Sequence, residues 1–209
     1  MFGLYDRYIM PAMVSCACSS KPIMKQRGKV LPMAYGRVLE VGCGSGTNFA
    51  LYNPDKVERV FGLEPHGPMI DKARKAEAKL ERPLEIEYLE TGAENIPLED
   101  DSIDTAVVTF VLCTIPDWRA SLEEVRRVLK PGGRILFSEH GGSPDPNIAK
   151  WQRRWEPFQK ALGGGCHVTR MPVEMLEQTG YKIEKSEMMY LPNTPKVLGC
   201  AYWGSATPA

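Results

Sequence analysis

Four short runs of this chain are apolar at almost every position: Val38-Leu39-Glu40-Val41, Val60-Phe61-Gly62-Leu63-Glu64, Thr105 to Val111, and Arg134-Ile135-Leu136-Phe137-Ser138. A strand with one wet face alternates apolar and polar residues, so runs this uniform suit strands buried on both faces, as in a parallel sheet. Helical patterns separate them. Pro68 fits a first helical turn, and Met69, Ala73, Ala76 and Leu80 come next at helical spacing. Asp117 reads as an N-cap before the stripe Trp118, Leu122, Val125 and Leu129, which Pro131-Gly132-Gly133 stops. The residues after Gly46 are expected to open another helix, leading to a turn at Asn53-Pro54. The alternation predicts an α/β fold, a doubly wound, mostly parallel seven-stranded sheet with right-handed crossovers.

Past residue 141 the pattern changes. Ser143 to Asn147 is turn-rich, Lys150 to Leu162 reads as a helix with a Trp151, Trp155 and Phe158 face, and Gly163-Gly164-Gly165 breaks it. Pro172 to Thr179 is a short helix ended by Gly180. Two strand-like runs come after it, Tyr181–Tyr190 and Lys196–Gly204, joined too closely for a parallel crossover. They predict an antiparallel C-terminal hairpin at the sheet edge.

The 209 residues suffice for one such domain, and 26 basic residues balance 26 acidic ones. No global field recruits nucleic acid, and none is expected as a partner. The six cysteines, at 16, 18, 43, 113, 166 and 200, form no CxxC pair, so neither a disulfide framework nor a structural zinc site is signalled. Cys43 and Cys113 sit in apolar stretches as small hydrophobes, which suits a reducing cytoplasm. In the apolar N-terminus, Asp6, Arg7 and Pro11 interrupt any signal-peptide core, and no run is long enough to span a bilayer. The expected protein is soluble and cytoplasmic, a monomer or homodimer, with a leader able to touch a membrane peripherally or cover a pocket.

Glu40-Val41-Gly42-Cys43-Gly44-Ser45-Gly46 ends the first strand in a glycine-rich turn. Gly42, Gly44 and Gly46 let the backbone turn sharply and let a ligand approach within contact distance. Dinucleotide enzymes share such turns, but here the spacing is GxGxG rather than GxGxxG, and Glu40 lies two positions before the first glycine. A carboxylate there is a poor neighbour for pyrophosphate and a good one for a cation. Glu64, ending the second strand, suits ribose hydroxyls. A phosphate-free nucleoside with a cationic amino acid end satisfies both carboxylates. S-adenosylmethionine is such a ligand.

The stretches VLEVGCGSGTNF, GLEPHGPMIDKAR, GAENIPLEDDSIDTAVVTFVLCTIPD and LKPGGRILFSEH then identify a resemblance. In order and separation they resemble the class I, Rossmann-like S-adenosylmethionine-dependent methyltransferases of the methyltransferase domain 11 type. FVLCTIPD, FSEH and GGCHVTR are similar to a branch of thiol methyltransferases from lipid droplets and endoplasmic reticulum. The resemblance implies that Glu40 organises the amino end of the cofactor, that the backbone of Gly42 to Gly46 lies beneath it, and that Glu64 holds the ribose. It also implies that Ala93 and Glu94 lie at the adenine edge and Thr109 near the methionine portion. Many relatives carry an aspartate just before the alanine, where this chain has Gly92.

Methyl transfer from a sulfonium needs alignment and a lone pair, and no metal is required. The acceptor is expected over the carboxyl ends of the fourth and fifth strands, within reach of Cys113, Thr114, Asp117, Glu139 and His140. His140 is the first candidate for a general base, with a structural hydrogen bond as the alternative. Asp117 is a second catalytic candidate that also serves as a helix cap. Cys166-His167 invites a thiolate–imidazole reading, against which stands a flexible glycine-hinged lid. Trp151, Trp155 and Phe158 suit either an apolar acceptor pocket or a core stripe. The expected plan is an N-terminal helical lid or cap over 1–35 and a cofactor-binding domain over 36–209, with 141–180 an acceptor-site insertion. The expected activity is methylation of a small apolar thiol, hydroxyl or amine. Its alternatives are a non-catalytic S-adenosylmethionine-binding subunit and a quinone or phospholipid methyltransferase.

Overall fold

The computed structural model describes residues 19–209. The stretch 1–18 of the expected N-terminal lid lies outside the described residues. Helix α1 (Lys21–Val30) leads into β1 (Gly36–Val41), β2 (Val57–Leu63), α2 (Gly67–Glu77), β3 (Ile86–Leu89), β4 (Ile103–Thr109), α3 (Trp118–Val128) and β5 (Leu129–His140). Helices α4 (Pro146–Leu162) and α5 (Pro172–Gln178) precede β6 (Tyr181–Tyr190) and β7 (Cys200–Pro208). The strands form one seven-stranded sheet in the order β3-β2-β1-β4-β5-β7-β6. The first five are parallel, and β7 runs antiparallel to both β5 and β6.

The apolar runs become strands because both of their faces are covered. Leu39, Val41, Phe61, Ala106, Val108, Ile135 and Phe137 pack with Leu122 and Val125 of α3 and Leu176 of α5. Val38, Val60, Val107 and Leu136, of the opposite parity, pack with Phe49, with Val30 of α1 and with Ala73 of α2. Side chains alternate along a strand, so Glu40 projects to the same face as Val38, and Thr109 to that of Val107. That alternation sends both toward α1. In the terminal hairpin the last strand lies inside. β7 buries Cys200, Ala201, Tyr202 and Trp203 against β5, while β6 puts Lys182, Glu184, Lys185 and Glu187 at the exposed edge. A charged edge discourages pairing with another chain.

Two local expectations are corrected. No α-helix follows Gly46, and the chain makes only a 3-10 turn at Phe49–Leu51. The stretch between Gly46 and Pro54 is too short to nucleate a helix and still return to β2. The glycine turn therefore has no helix dipole behind it. Secondly, the aromatic stripe of α4 neither floors a pocket nor faces the core: Trp151, Trp155 and Phe158 are 61%, 46% and 60% exposed. The helix attaches instead by its polar side. Gln152, fully buried, donates to the carbonyls of Gly141 and Val197 and accepts from the Ser143 amide.

Candidate functional site

The site lies at the carboxyl ends of β1, β2, β4 and β5. At the turn after β1, Gly42, Gly44 and Gly46 have φ of 66°, 54° and 76°, a region costly for residues with a Cβ. Their reasons differ. A Cβ on Gly42 would meet Val111 at 2.6 Å, and one on Gly46 the Phe49 ring at 2.7 Å. On Gly44 the nearest atom would be Met69 Cε at 3.7 Å, so that position opens onto free space where a ligand can approach. Glu64 reaches back to this turn. Its Oε2 accepts from the Gly44 amide at 3.1 Å, and its Oε1 from the His66 amide at 3.1 Å.

Glu40 is 1% exposed. Asn48 Nδ2 donates to its Oε1 at 3.0 Å and the Tyr52 hydroxyl to its Oε2 at 2.7 Å. Burial dominates these favourable bonds and pushes the carboxyl up to about 7. A buried acid half-ionised at neutrality is a socket for a cation. From the other side α1 delivers Arg27, also buried, whose Nη1 donates to Asn48 Oδ1 at 2.8 Å and Thr109 Oγ1 at 2.6 Å. Its guanidinium lies 5.1 Å from the Phe110 ring centroid. One carboxylate and one guanidinium thus meet through Asn48 and Thr109, an arrangement complementary to a zwitterionic amino acid group. Sequence reasoning found Glu40 and Thr109 but missed Arg27, Asn48 and Tyr52. The polar Asn48 beside the glycine turn was the available signal. Nothing local marked Arg27.

After β3, Ala93 is buried and Glu94 exposed. A Cβ on Gly92 would meet Glu94 Oε2 at 2.5 Å, so the Glu94 carboxyl folds over the glycine.

Beyond β4 and β5 the chain forms a second polar centre. Glu139, fully buried, accepts from the amides of Val111 and Leu112 at 2.9 and 3.2 Å, and burial holds its carboxyl up at about 7. Arg170 donates to the carbonyls of Leu112 and Ile115. The His167 amide donates to the Cys113 carbonyl at 2.8 Å. These bonds dock the segment after Gly163-Gly164-Gly165 onto the turn after β4, so the glycine-rich stretch is pinned where a loose lid was an alternative. Glu156 of α4 completes the attachment by taking His167 Nδ1 at 2.9 Å and the Thr169 hydroxyl at 2.7 Å.

The docking sets the cysteines. Cys166 does not pair with its neighbour His167; its Sγ lies 3.5 Å from Nδ1 of His140, with Cys113 alongside. Hydrogen bonds from Cys113 and His140 outweigh burial and pull the Cys166 thiol below its ordinary range. Asp117 stands apart from this centre: it is exposed and its Oδ1 accepts from the Ala120 amide at 3.0 Å, capping α3.

Comparison with known proteins identifies the family. Residues 39–137 match the family model described as a methyltransferase domain. Thiol S-methyltransferase TMT1B of Homo sapiens is 37% identical over 183 residues, covering 83% of this chain and 74% of that protein. Thiol S-methyltransferase TMT1A of Homo sapiens is 34% identical, covering 74% and 64%. Among solved structures, a SAM-dependent methyltransferase from Methanosarcina mazei superposes with a TM-score of 0.65 at 21% identity, covering 82% of this chain and 92% of that one. That last likeness concerns the fold. No helix among the described residues is long and apolar enough to cross a membrane. The chain belongs to the class I, Rossmann-like methyltransferases, in their thiol methyltransferase-like branch, and is an enzyme with S-adenosylmethionine as cofactor.

Proposed function

We propose that the protein methylates a small thiol at the centre formed by Cys113, His140 and Cys166. The carrying observation is the pairing, at one end of one sheet, of a buried acid–guanidinium socket with a separate buried cluster of soft and proton-accepting groups. The names of the curated relatives, thiol S-methyltransferases, support the acceptor class.

When bound, S-adenosylmethionine supplies an electrophilic methyl group on a sulfonium. Glu40 takes the α-amino group in this reading and Arg27 the α-carboxylate, with Asn48 and Thr109 holding both side chains in register. Gly42, Gly44 and Gly46 form the floor, Glu64 receives the ribose hydroxyls, and Ala93 and Glu94 border the adenine. Because α1 supplies Arg27, the N-terminal segment within 1–35 acts as a cap that completes the cofactor pocket, and 141–180 is the insertion that brings Cys166 to the acceptor. A thiol attacks as its thiolate, so its proton must leave before or during transfer. In the metal-free enzyme His140 receives it in this reading, while Asp117 has a structural role at the head of α3. The partner is a small molecule, and the four described cysteines, none of them in a disulfide, support a cytoplasmic setting.

The test offers purified protein and methyl-deuterated cofactor to parallel panels of thiols, phenols, quinols and amines, with products read by mass spectrometry. A labelled thioether supports the proposal. Labelling confined to quinols or amines, or cofactor binding with no product in any panel, removes it.

A further inference from the structure

Cys113, His140 and Cys166 come from three separate segments, yet one ligand atom from each lies within 4.8 Å of the other two. Both cysteines are buried, at 5% and 9% exposure. His140 has Nδ1 at 3.5 Å from Cys166 Sγ, and its Nε2 is buried with no hydrogen-bond partner. Two thiols around a half-satisfied imidazole form a poor apolar core and a poor hydrogen-bond network. They form a good donor set. Two thiolates and one imidazole are the ligands that a zinc-class ion takes in sites that keep a fourth position open, and a single divalent cation balances the charge of two buried thiolates.

The backbone around the two cysteines is tied down on both sides. Glu139 fixes the amides of Val111 and Leu112, just before Cys113, and Arg170 fixes the carbonyls of Leu112 and Ile115 on either side of it. The His167 amide ties the residue after Cys166 to the Cys113 carbonyl, and Glu156 anchors His167 and Thr169. Such outer bonds orient metal ligands and hold them in place before the ion arrives. The sequence concealed the site because its donors are 26 or more residues apart and none falls in a CxxC pair.

We infer that Cys113, His140 and Cys166 form a site for one thiophilic divalent ion of the zinc class, with its fourth position available to the acceptor thiol. The use of the fourth position rests on the thiol reading above; the three-ligand site does not. The ion acidifies the thiol on binding and its proton passes to solvent, so His140 serves as a ligand while the ion is present. The thiolate sulfur then forms a bond to the methyl carbon as the sulfonium carbon–sulfur bond breaks. Those electrons stay on the departing S-adenosylhomocysteine, and the neutral thioether, a weaker ligand, leaves the ion.

The reduced protein is titrated with Co2+ in the absence of cofactor and acceptor, and absorption is read. The expected result is one equivalent bound with thiolate-to-cobalt charge transfer and the visible bands of a tetrahedral ion. Cys113→Ser and Cys166→Ser are each expected to weaken binding by more than about 100-fold, beyond what loss of an outer contact costs. Cys200→Ser keeps the spectrum. S-adenosylmethionine binding by each variant reports that it is folded. Should a variant not fold, alkylation of the parent protein with and without Zn2+ decides, since the ion is expected to protect Cys113 and Cys166 selectively. An octahedral, thiolate-free cobalt spectrum, or equal alkylation with and without Zn2+, overturns the site. Addition of a small alkyl thiol to the cobalt-loaded protein is expected to intensify the charge-transfer band; an unchanged band overturns the binding of acceptor at the fourth position. Protein that methylates thiols but takes up no cobalt leaves the thiol reading standing without the metal. Tight cobalt binding without thiol methylation does the reverse.

Discussion

Glu40 shows how one residue carries both the identity and the pH behaviour of the site. Its carboxyl titrates near 7 because burial outweighs its bonds to Tyr52 and Asn48 and the attraction of Arg27. The groups facing it are Tyr52 and Asn48 from the turn after β1, Arg27 from α1, and Cys43, which is itself pushed upward. A bound ammonium group favours the ionised form, so at acid pH binding must first expel a proton. Calorimetry is expected to show cofactor affinity falling about tenfold per pH unit below about 7, with proton release on binding. Glu40→Gln should bind more weakly near neutrality and lose that slope, and a variant with the parent's pH dependence counts against Glu40 as the cationic socket. The spacing of Glu40 and Glu64 around the glycines made both legible before any fold was known. Arg27 was not legible, and Cys166 was read beside the wrong histidine, because their partners, Thr109 and His140, lie 82 and 26 residues away and meet them only through folding.

At the scale of elements, sequence reasoning worked where periodicity was strong and failed where one residue's tertiary bond outweighed it. The apolar runs and the α3 stripe predicted strands and a helix that are present, with Asp117 as cap. The helix expected after Gly46 failed on length. The stripe of α4 misled because Gln152 and Glu156, on the polar side, make the bonds that attach the helix. Substitutions at these attachments should differ sharply in cost. Gly46→Ala forces φ of 76° and a contact with Phe49 at 2.7 Å, and is expected to cost about 2 kcal/mol in urea unfolding. Arg27→Met removes a charged donor from Asn48 and Thr109 and should weaken S-adenosylmethionine binding by about 10- to 100-fold. A smaller loss by calorimetry argues that α1 is only packing. By contrast Trp151→Ser with Phe158→Ser should leave unfolding within about 0.5 kcal/mol of the parent, because both side chains already stand in water.

The whole molecule is a sheet whose two faces were readable in outline and whose ligand end was readable only in part. Burial on both faces explains why uniform apolar runs announced a parallel sheet, and also why the Glu40 carboxylate, on one of those runs, is destabilised. That destabilisation sets the last prediction. In the unfolded chain Glu40 titrates near its ordinary 4.5, and in the cofactor-free fold near 7, so the folded state keeps the proton longer. Its contribution to stability is complete below about pH 4.5 and is lost as pH rises through about 7, a total of about 3 kcal/mol for this one group. Urea unfolding of the parent compared with Glu40→Gln isolates the effect, since the neutral amide has no proton to lose. The gap between the two should widen in favour of Glu40→Gln as pH rises from about 5 to about 8. Saturating S-adenosylmethionine should restore the parent in that same range, by adding an ammonium group to the attraction of Arg27 on the buried carboxylate. Parallel stability curves for the two proteins, with or without cofactor, contradict a buried, destabilised carboxylate at this position.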